Sequence, residues 1–389
     1  MKKKVILFLD HTARMGGGEI ALLRLVTALD RQRFTPVVAL GAEGPLSAAL
    51  ADAGIETHLL PMTQNIREMR KEALGLRALL RPGALLPLLA IVGGLARLMK
   101  RRGVDVLHTN SLKADVIGGL AARLCGVPVV WHVRDRIAPD YLPTPAVHAF
   151  RWLCRILPNR VIANSAATLR TLATAPRAHW SVVHDGIPSS CRLASPTPSS
   201  QPIVGLLGRI APWKGQDIFV LAAHLLRRRI PEARYQIIGC AMFGEEAYER
   251  RVRRMVHTLR LQDVFTFTGF QEDIPAALAP LACVVHASTL AEPFGQIVAE
   301  AMACGKPVVA TKGGGIREIV VPRRTGLLVP MGDAESMASA VETLLRNPPL
   351  AHRMGRAGEA RIAHRFTIEQ TARKVEAVYV GLGDADDTN

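Results

Sequence analysis

The chain has 389 residues, 49% of them hydrophobic, which is enough apolar surface for two domain cores and too much for a disordered or fibrous protein. Lys and Arg number 49 against 33 Asp and Glu, a net charge of +16, with 25 bases and 13 acids in residues 1–188 and 24 and 20 in the rest, so an anionic partner acts more on the first half. Six scattered cysteines (Cys125, Cys154, Cys191, Cys240, Cys283, Cys304) exclude a zinc ribbon, a redox Cys-x-x-Cys pair and a disulfide scaffold, and fit a reducing, cytoplasmic setting.

After the basic start Lys2-Lys3-Lys4, the apolar run Val5–Leu9 is too short for a signal core and suits a buried strand. Short apolar runs then alternate with helix-period stretches. The strands expected are Val5–Leu9, Thr35–Leu40, Val104–His108, Val127–Trp131 and Arg160–Ala163. The helices expected between them are Glu19–Leu29, Pro45–Ala53, Lys113–Leu124 and Ala166–Ala173. Such alternation predicts a parallel sheet covered on both faces. No run is long enough to span a membrane; the longest weakly polar stretch, Gly83–Ala96, is interrupted by Pro87, Gly93 and Gly94.

In residues 188–202, nine of fifteen are Pro or Ser, the composition of a linker. The alternation then restarts. Strands are expected at Ile203–Leu207, Tyr235–Ile238, Val264–Phe267, Cys283–His286, Pro307–Ala310 and Gly326–Val329. Helices are expected at Gln216–Arg229, Glu245–Leu259, Gly295–Met302 and Ala334–Arg346. The fold class is therefore α/β, two tandem Rossmann-like domains facing across a cleft at the C-terminal ends of their strands. The domain limits expected are 1–188, a hinge over 189–201, and 202–365. A frayed tail is expected over Gly383–Asn389.

The strand ends carry the chemistry. Gly16, Gly17 and Gly18 follow the first strand and are either a backbone cradle for an anion or a tight strand–helix turn. His108, His132 and Arg134, Asn164 and Ser165, and His184 and Asp185 stand at or beyond other strands. Such a set of donors and acceptors suits a hydroxyl-rich ligand. Arg134 is placed to touch an anionic acceptor or to pair with Asp135. In the second half, Arg209 and Lys214 lie on a Gly-bounded loop, a planar fork and a point charge suited to a diphosphate. Glu292 and Glu300 are eight positions apart around a helix start at Gly295, where carboxylates can accept from sugar hydroxyls and free N–H groups can meet phosphate. A further glycine loop, Gly313-Gly314-Gly315, follows the next strand.

Together these motifs resemble glycosyltransferase family 4, the retaining enzymes of GT-B fold. The resemblance covers roughly 202–380 through Gly208-Arg209, Lys214-Gly215, Gly269-Phe270, Glu292 to Gly295, Glu300, Gly305 to Pro307, Gly313 to Gly315 with Glu318, and Thr325 to Pro330. It is weaker in the first half, through Gly16–Gly18, His132 and the hinge. The resemblance implies that Arg209 and Lys214 hold the donor diphosphate and stabilise the leaving group. Glu292 and His132 contact the transferred sugar. Phe294 and Gly295 offer backbone N–H groups, with Gln296 beside them. Glu300 binds the ribose, Gly16–Gly18 lie beside the phosphates, and a C-terminal helix over 366–383 crosses back to the first domain. Asp10 and Glu19 are weaker carry-overs. No cofactor or metal is implied, since the Asp-x-Asp pattern occurs at Asp384 and Asp386 in the tail, with no strand before it. The implied reaction moves a hexose from a UDP- or GDP-sugar to a glycan or lipid-linked acceptor, in bacterial envelope or exopolysaccharide synthesis, with retention. A GT-B epimerase is the alternative enzyme. A nucleic-acid-binding protein is disfavoured by 5% aromatic content and the absence of a nucleic-acid motif. The basic, partly apolar stretch 67–103 is either an anionic-membrane face or an ordinary half-buried helix. The hinge reads His184-Asp185-Gly186 where many family members have Asn before Gly.

Overall fold

The computed structural model describes residues 3–60, 82–172, 177–191, 201–242 and 244–383, with side chains from Leu86 onward in the second of these ranges. The Asp384–Asp386 pattern, part of the basic stretch and most of the expected hinge lie outside them.

The chain divides into two compact units. The first is residues 1–186 together with 368–389; the second is 187–367. The first unit runs β1 (Lys4–Asp10), α1 (Gly17–Ala28), β2 (Phe34–Leu40), α2 (Pro45–Asp52), β3 (Glu56–Leu59), α3 (Pro82–Arg102), β4 (Val106–Thr109) and α4 (Leu112–Cys125). It continues with β5 (Val129–Val133), α5 (Thr144–Ile156), β6 (Arg160–Ala163), α6 (Ala166–Leu172) and β7 (Trp180–Val182). The second unit runs β8 (Ile203–Leu207), α7 (Gln216–Arg229), β9 (Arg234–Ile238), α8 (Glu246–Thr258), β10 (Phe265–Gly269), α9 (Ile274–Leu278) and β11 (Leu281–His286). It continues with α10 (Gln296–Ala303), β12 (Val308–Thr311), α11 (Ile316–Ile319), β13 (Leu327–Val329), α12 (Ala334–Arg346) and α13 (Pro348–Arg365). The last helix, α14 (Ile368–Gly383), belongs to the first unit.

All strands pair in parallel. The sheets have the orders β3-β2-β1-β4-β5-β6-β7 and β10-β9-β8-β11-β12-β13. In each, the chain reverses its direction of growth between the first strand and the fourth, and crevices at such switch points bind ligands in open α/β sheets. The pleat divides each strand between two cores. Leu7 and Leu9 of β1 join Trp131 and the faces of α3–α5, whereas Ile6 and Phe8 join α1, α2 and α14. In α14 the inward residues are Ala372, Val375, Tyr379 and Leu382, a spacing of three and four that lays one helical face on the sheet.

The structure departs from the sequence reading at several points. The strand expected to end at Trp131 runs on through His132 to Val133, so His132 is a fully buried ladder residue instead of a loop residue beyond it. The short strands β3 and β7 and helices α5 and α13 are additions to the expected elements, although Val147, Phe150 and Cys154 of α5 do repeat at helical spacing. Ser189–Cys191, assigned to the hinge, form a 3-10 turn, and Cys191 is buried in the second unit's core. The basic stretch contributes α3, whose Ile91, Val92, Leu95, Leu98 and Met99 are buried in the first core.

Candidate functional site

In the second unit, β8 ends at Leu207, and the next eight residues return the chain to α7 through a 3-10 turn over Pro212–Lys214. Gly215 closes this loop at φ +69°; a Cβ there would lie 2.1 Å from the carbonyl oxygen of Ala287. The loop is thereby pressed onto the end of β11, across the switch point. The Trp213 ring is within cation–π range of both expected cations, with the Arg209 guanidinium carbon 5.6 Å and Lys214 Nζ 4.4 Å from the ring centroid.

Lys214 Nζ donates to Glu292 Oε1 at 2.7 Å. Ser288 Oγ donates to the same oxygen at 2.5 Å, and His286 Nε2 lies 3.0 Å from it. No hydrogen bond to Oε2 is found among the described residues. Thr311, at the end of β12, donates to Ser288 O at 2.9 Å and lies 3.1 Å from His286 Nδ1, so the ends of β11 and β12 are tied together behind the carboxylate. Burial pushes the Glu292 pKa up, but the Lys214 ammonium and His286 outweigh it and hold the carboxyl well below the usual range. Glu292 is an anion at neutral pH, clamped at one oxygen.

The Gly313–Gly315 loop sets the height of this carboxylate. A Cβ on Gly314 would meet Glu292 O at 1.9 Å, one on Gly315 would meet Phe294 Cα at 2.6 Å, and Gly315 N donates to Glu292 O at 3.0 Å. These glycines serve backbone-to-backbone packing under residues 292–294. Gly295 has φ +107° and caps α10, where a side chain would collide with Ile316. The Phe294 side chain is buried among apolar neighbours, so its backbone is the part suited to a ligand. On α10, Gln296 Nε2 donates to the buried Glu300 Oε1 at 3.0 Å, one turn apart.

In the first unit, the ends of β1 and β4 meet at the corresponding switch point. Asn110 Nδ2 donates to Asp10 Oδ2 at 2.7 Å and to Gly18 O at 3.1 Å. Gly16 N donates to Glu19 Oε2 at 3.1 Å, so the Glu19 side chain reaches back to cap the start of α1. Gly16 has φ −124°, and no left-handed φ occurs over Gly16–Gly18, so left-handed backbone is not what glycine supplies there. Glu19 is pushed up to about 8 by burial, then by the charges of Asp10 and Asp135.

Arg134 is buried and forms an ion pair with Asp185, while its Nε donates to Asn110 Oδ1 at 2.8 Å. Asp135, one of the two partners expected for Arg134, accepts from the Tyr141 hydroxyl at 2.6 Å. Asp185 Oδ2 also receives Asn164 Nδ2 at 3.2 Å. His132 Nδ1 faces His108 Nε2 at 3.1 Å.

Two family models cover most of the chain. Residues 15–190 match the model described as Glycosyltransferase Family 4, and residues 192–361 match Glycosyl transferases group 1. The chain belongs to glycosyltransferase family 4. This family 4 chain is 32% identical over 247 residues to a GDP-mannose-dependent alpha-mannosyltransferase of Mycobacterium tuberculosis (strain CDC 1551 / Oshkosh), covering 59% of the chain and 61% of that protein. It is 36% identical over 166 residues to a GDP-mannose-dependent alpha-(1-6)-phosphatidylinositol monomannoside mannosyltransferase of Mycolicibacterium smegmatis, covering 41% of the chain and 42% of that protein. The matches thus span about three fifths and two fifths of those relatives. Among solved structures, Anabaena HepE in complex with UDP-glucose superposes with a TM-score of 0.85 and 26% identity over 97% of this chain and 99% of that one. The fold is GT-B.

In this family 4 chain the structure brings Arg209, Lys214 and Glu292 together around Trp213, and places Gly295, Gln296 and Glu300 on the adjoining helix start. The sequence reading missed Trp213, His286, Ser288 and Thr311. His286 and Thr311 are the last residues of their strands, the same signal that singled out the other polar strand ends.

Proposed function

We propose that the chain is a retaining, metal-independent glycosyltransferase that moves a hexose from a nucleoside-diphosphate sugar to a glycan or lipid-linked acceptor in envelope or exopolysaccharide synthesis. The observation that carries this reading is the clamp at the β8/β11 switch point, where Lys214 and Arg209 flank Trp213 and Lys214 meets the ionised Glu292.

In this reading the two cations bind the diphosphate and stabilise the charge that develops on it as the bond from the anomeric carbon to phosphate oxygen breaks. Glu292 accepts from sugar hydroxyls through Oε2, Glu300 from the ribose, and the N–H groups at the start of α10 face phosphate. The acceptor oxygen bonds to the anomeric carbon on the face the diphosphate leaves, and its proton passes to the departing phosphate. No observation favours the epimerase reading. The named relatives use GDP-mannose and the HepE structure holds UDP-glucose, so both bases remain in the proposal.

The test is a comparison of UDP, GDP and ADP as stabilisers in thermal denaturation. Saturation at 100 times Kd corresponds to about 2.7 kcal/mol. We expect UDP or GDP to raise Tm and ADP to leave it unchanged. The matching sugar nucleotide should then be consumed in the presence of EDTA, with the product keeping the donor's anomeric configuration by NMR. No nucleotide stabilisation, or an inverted product, rejects the reading.

No helix among the described residues is long and apolar enough to cross a membrane. For the acceptor side we propose attachment to an anionic lipid surface through the first unit. Helices α3–α5 expose Leu86 (73%), Leu89 (56%), Leu120, Leu124, Trp152 (59%) and Ile156, and Arg97, Lys100, Arg123 and Arg155 are exposed on the same helices. Sedimentation with phosphatidylglycerol vesicles is expected to fall with salt and to be lost when Leu86, Leu89 and Trp152 are changed to Ser. Binding unaffected by either change rejects the surface.

A further inference from the structure

His132 has one ring nitrogen in a crowded polar cluster and the other, Nε2, buried with no hydrogen-bond partner among the described residues. Which of the two carries the proton decides what the ring can offer a ligand, and the neighbours settle it. Arg134 Nη2 lies 3.2 Å from His132 Nδ1. A guanidinium only donates, so Nδ1 is the acceptor and holds no proton. The neutral ring therefore carries its hydrogen on Nε2. His108 Nε2, 3.1 Å from the same Nδ1, must also donate to it. That leaves His108 Nδ1 as an acceptor, and the Tyr379 hydroxyl stands 2.7 Å away to donate. Each step follows from the one before, and the chain Tyr379 → His108 → His132 ends on a buried N–H with no acceptor.

We propose that Tyr379 and His108 are positioning residues that fix His132 as the Nε2–H tautomer and orient that N–H to donate to a ligand oxygen, in the first instance a hydroxyl of the transferred sugar. The ligand end of this proposal rests on the function proposed above; the tautomer does not. Tyr379 sits on α14, 271 positions from His108, so α14 reaches the polar end of β4 through one hydroxyl and β5 through the His108 ring. Packing holds the relay still. Tyr379 meets the edges of His108 and Phe34 at 5.8 and 5.7 Å between centroids, and Phe8 lies 4.9 Å from the other side of His108. Burial and the Arg134 charge both lower the pKa of the two imidazoles, which keeps them neutral at physiological pH. A cationic His132 would direct an Nδ1 proton at the guanidinium.

The test uses the full chain with 15N-labelled histidine, read by NMR without ligand. Both His108 and His132 are expected to be neutral, with protonated Nε2 and unprotonated Nδ1 across pH 6–8. Tyr379→Phe keeps the ring and removes the donor. It should move the His108 Nδ1 resonance, leave Tm near that of the parent, and lower kcat by about tenfold, the size of one neutral hydrogen bond, with little change in donor KM. A wild-type His132 protonated on Nδ1, or a Tyr379→Phe protein with unchanged nitrogen shifts and unchanged kcat, overturns the relay. His132→Ala with full transfer activity would instead reject the sugar contact, while the nitrogen shifts would still report the tautomer.

Discussion

Glu292→Gln is expected to lower kcat by about 10²–10³-fold, the usual effect of removing one preorganised electrostatic group from a reacting centre. The substitution keeps the shape of the side chain, and its amide oxygen can still accept from Ser288 and His286. It removes the negative charge that anchors Lys214 and that a sugar hydroxyl would meet. Lys214→Met should lose a comparable factor, because the cation serves both the diphosphate and the carboxylate. The double variant should be little worse than either single one, since the two side chains act as a unit through their 2.7 Å contact. Steady-state kinetics with the preferred donor, alongside near-UV circular dichroism for the fold, decide it. Two independent, multiplying losses would mean that the contact has no role in the reaction.

The second large effect concerns stability. Arg134→Met should cost about 3–5 kcal/mol, because it leaves Asp185 as a charge buried without its cation. Both side chains are nearly inaccessible, at 6% and 7% exposure, and Asn164 is a neutral partner that does not balance the charge. Adding Asp185→Asn to the Arg134→Met background should recover most of the loss, since the amide can still bond Asn164 without a charge to desolvate. Urea denaturation of the two variants and the parent measures this. If the double variant is as unstable as the single one, the ion pair is not the source of the cost. The pair also gives a physical reason for Asp185 at a hinge position where many family members carry Asn: here the neighbour is a buried Arg.

The fold was readable because parallel strands buried on both faces are written as short apolar runs, and eleven of them stand out between helix-period stretches. The elements that escaped notice were those whose pattern is set by position in the sheet. Edge strand β3, Glu56-Thr57-His58-Leu59, is polar at three of its four positions because only one neighbouring strand covers it. The cations and acids of the second unit were legible as motifs, since glycines at fixed offsets mark the close approaches that hold them. The side chains behind them were not. His286 and Thr311 gain meaning only when β11 and β12 lie side by side, a relation between residues 25 positions apart. His132 was placed one step too far out because Val133 extends the ladder. Tyr379 carried no signal at all, as an aromatic residue at helical spacing looks like any core residue until the sheet end beneath it is known.

The division of the chain has a consequence for synthesis on the ribosome. The first unit begins the polypeptide yet takes its closing helix, α14, from residues 368–383, after the whole of 187–367 has been made. The second unit has every strand and helix of its core within one continuous stretch and can complete its core first. Until residues 368–383 have been made, Phe34 of β2 and Leu25 of α1 lack Val375, Tyr379 and Leu382 to cover them. The emerging N-terminal half must therefore wait, with a sticky surface showing, for a helix made only after the whole second unit, and a stop codon just before Ile368 would leave that surface permanently bare.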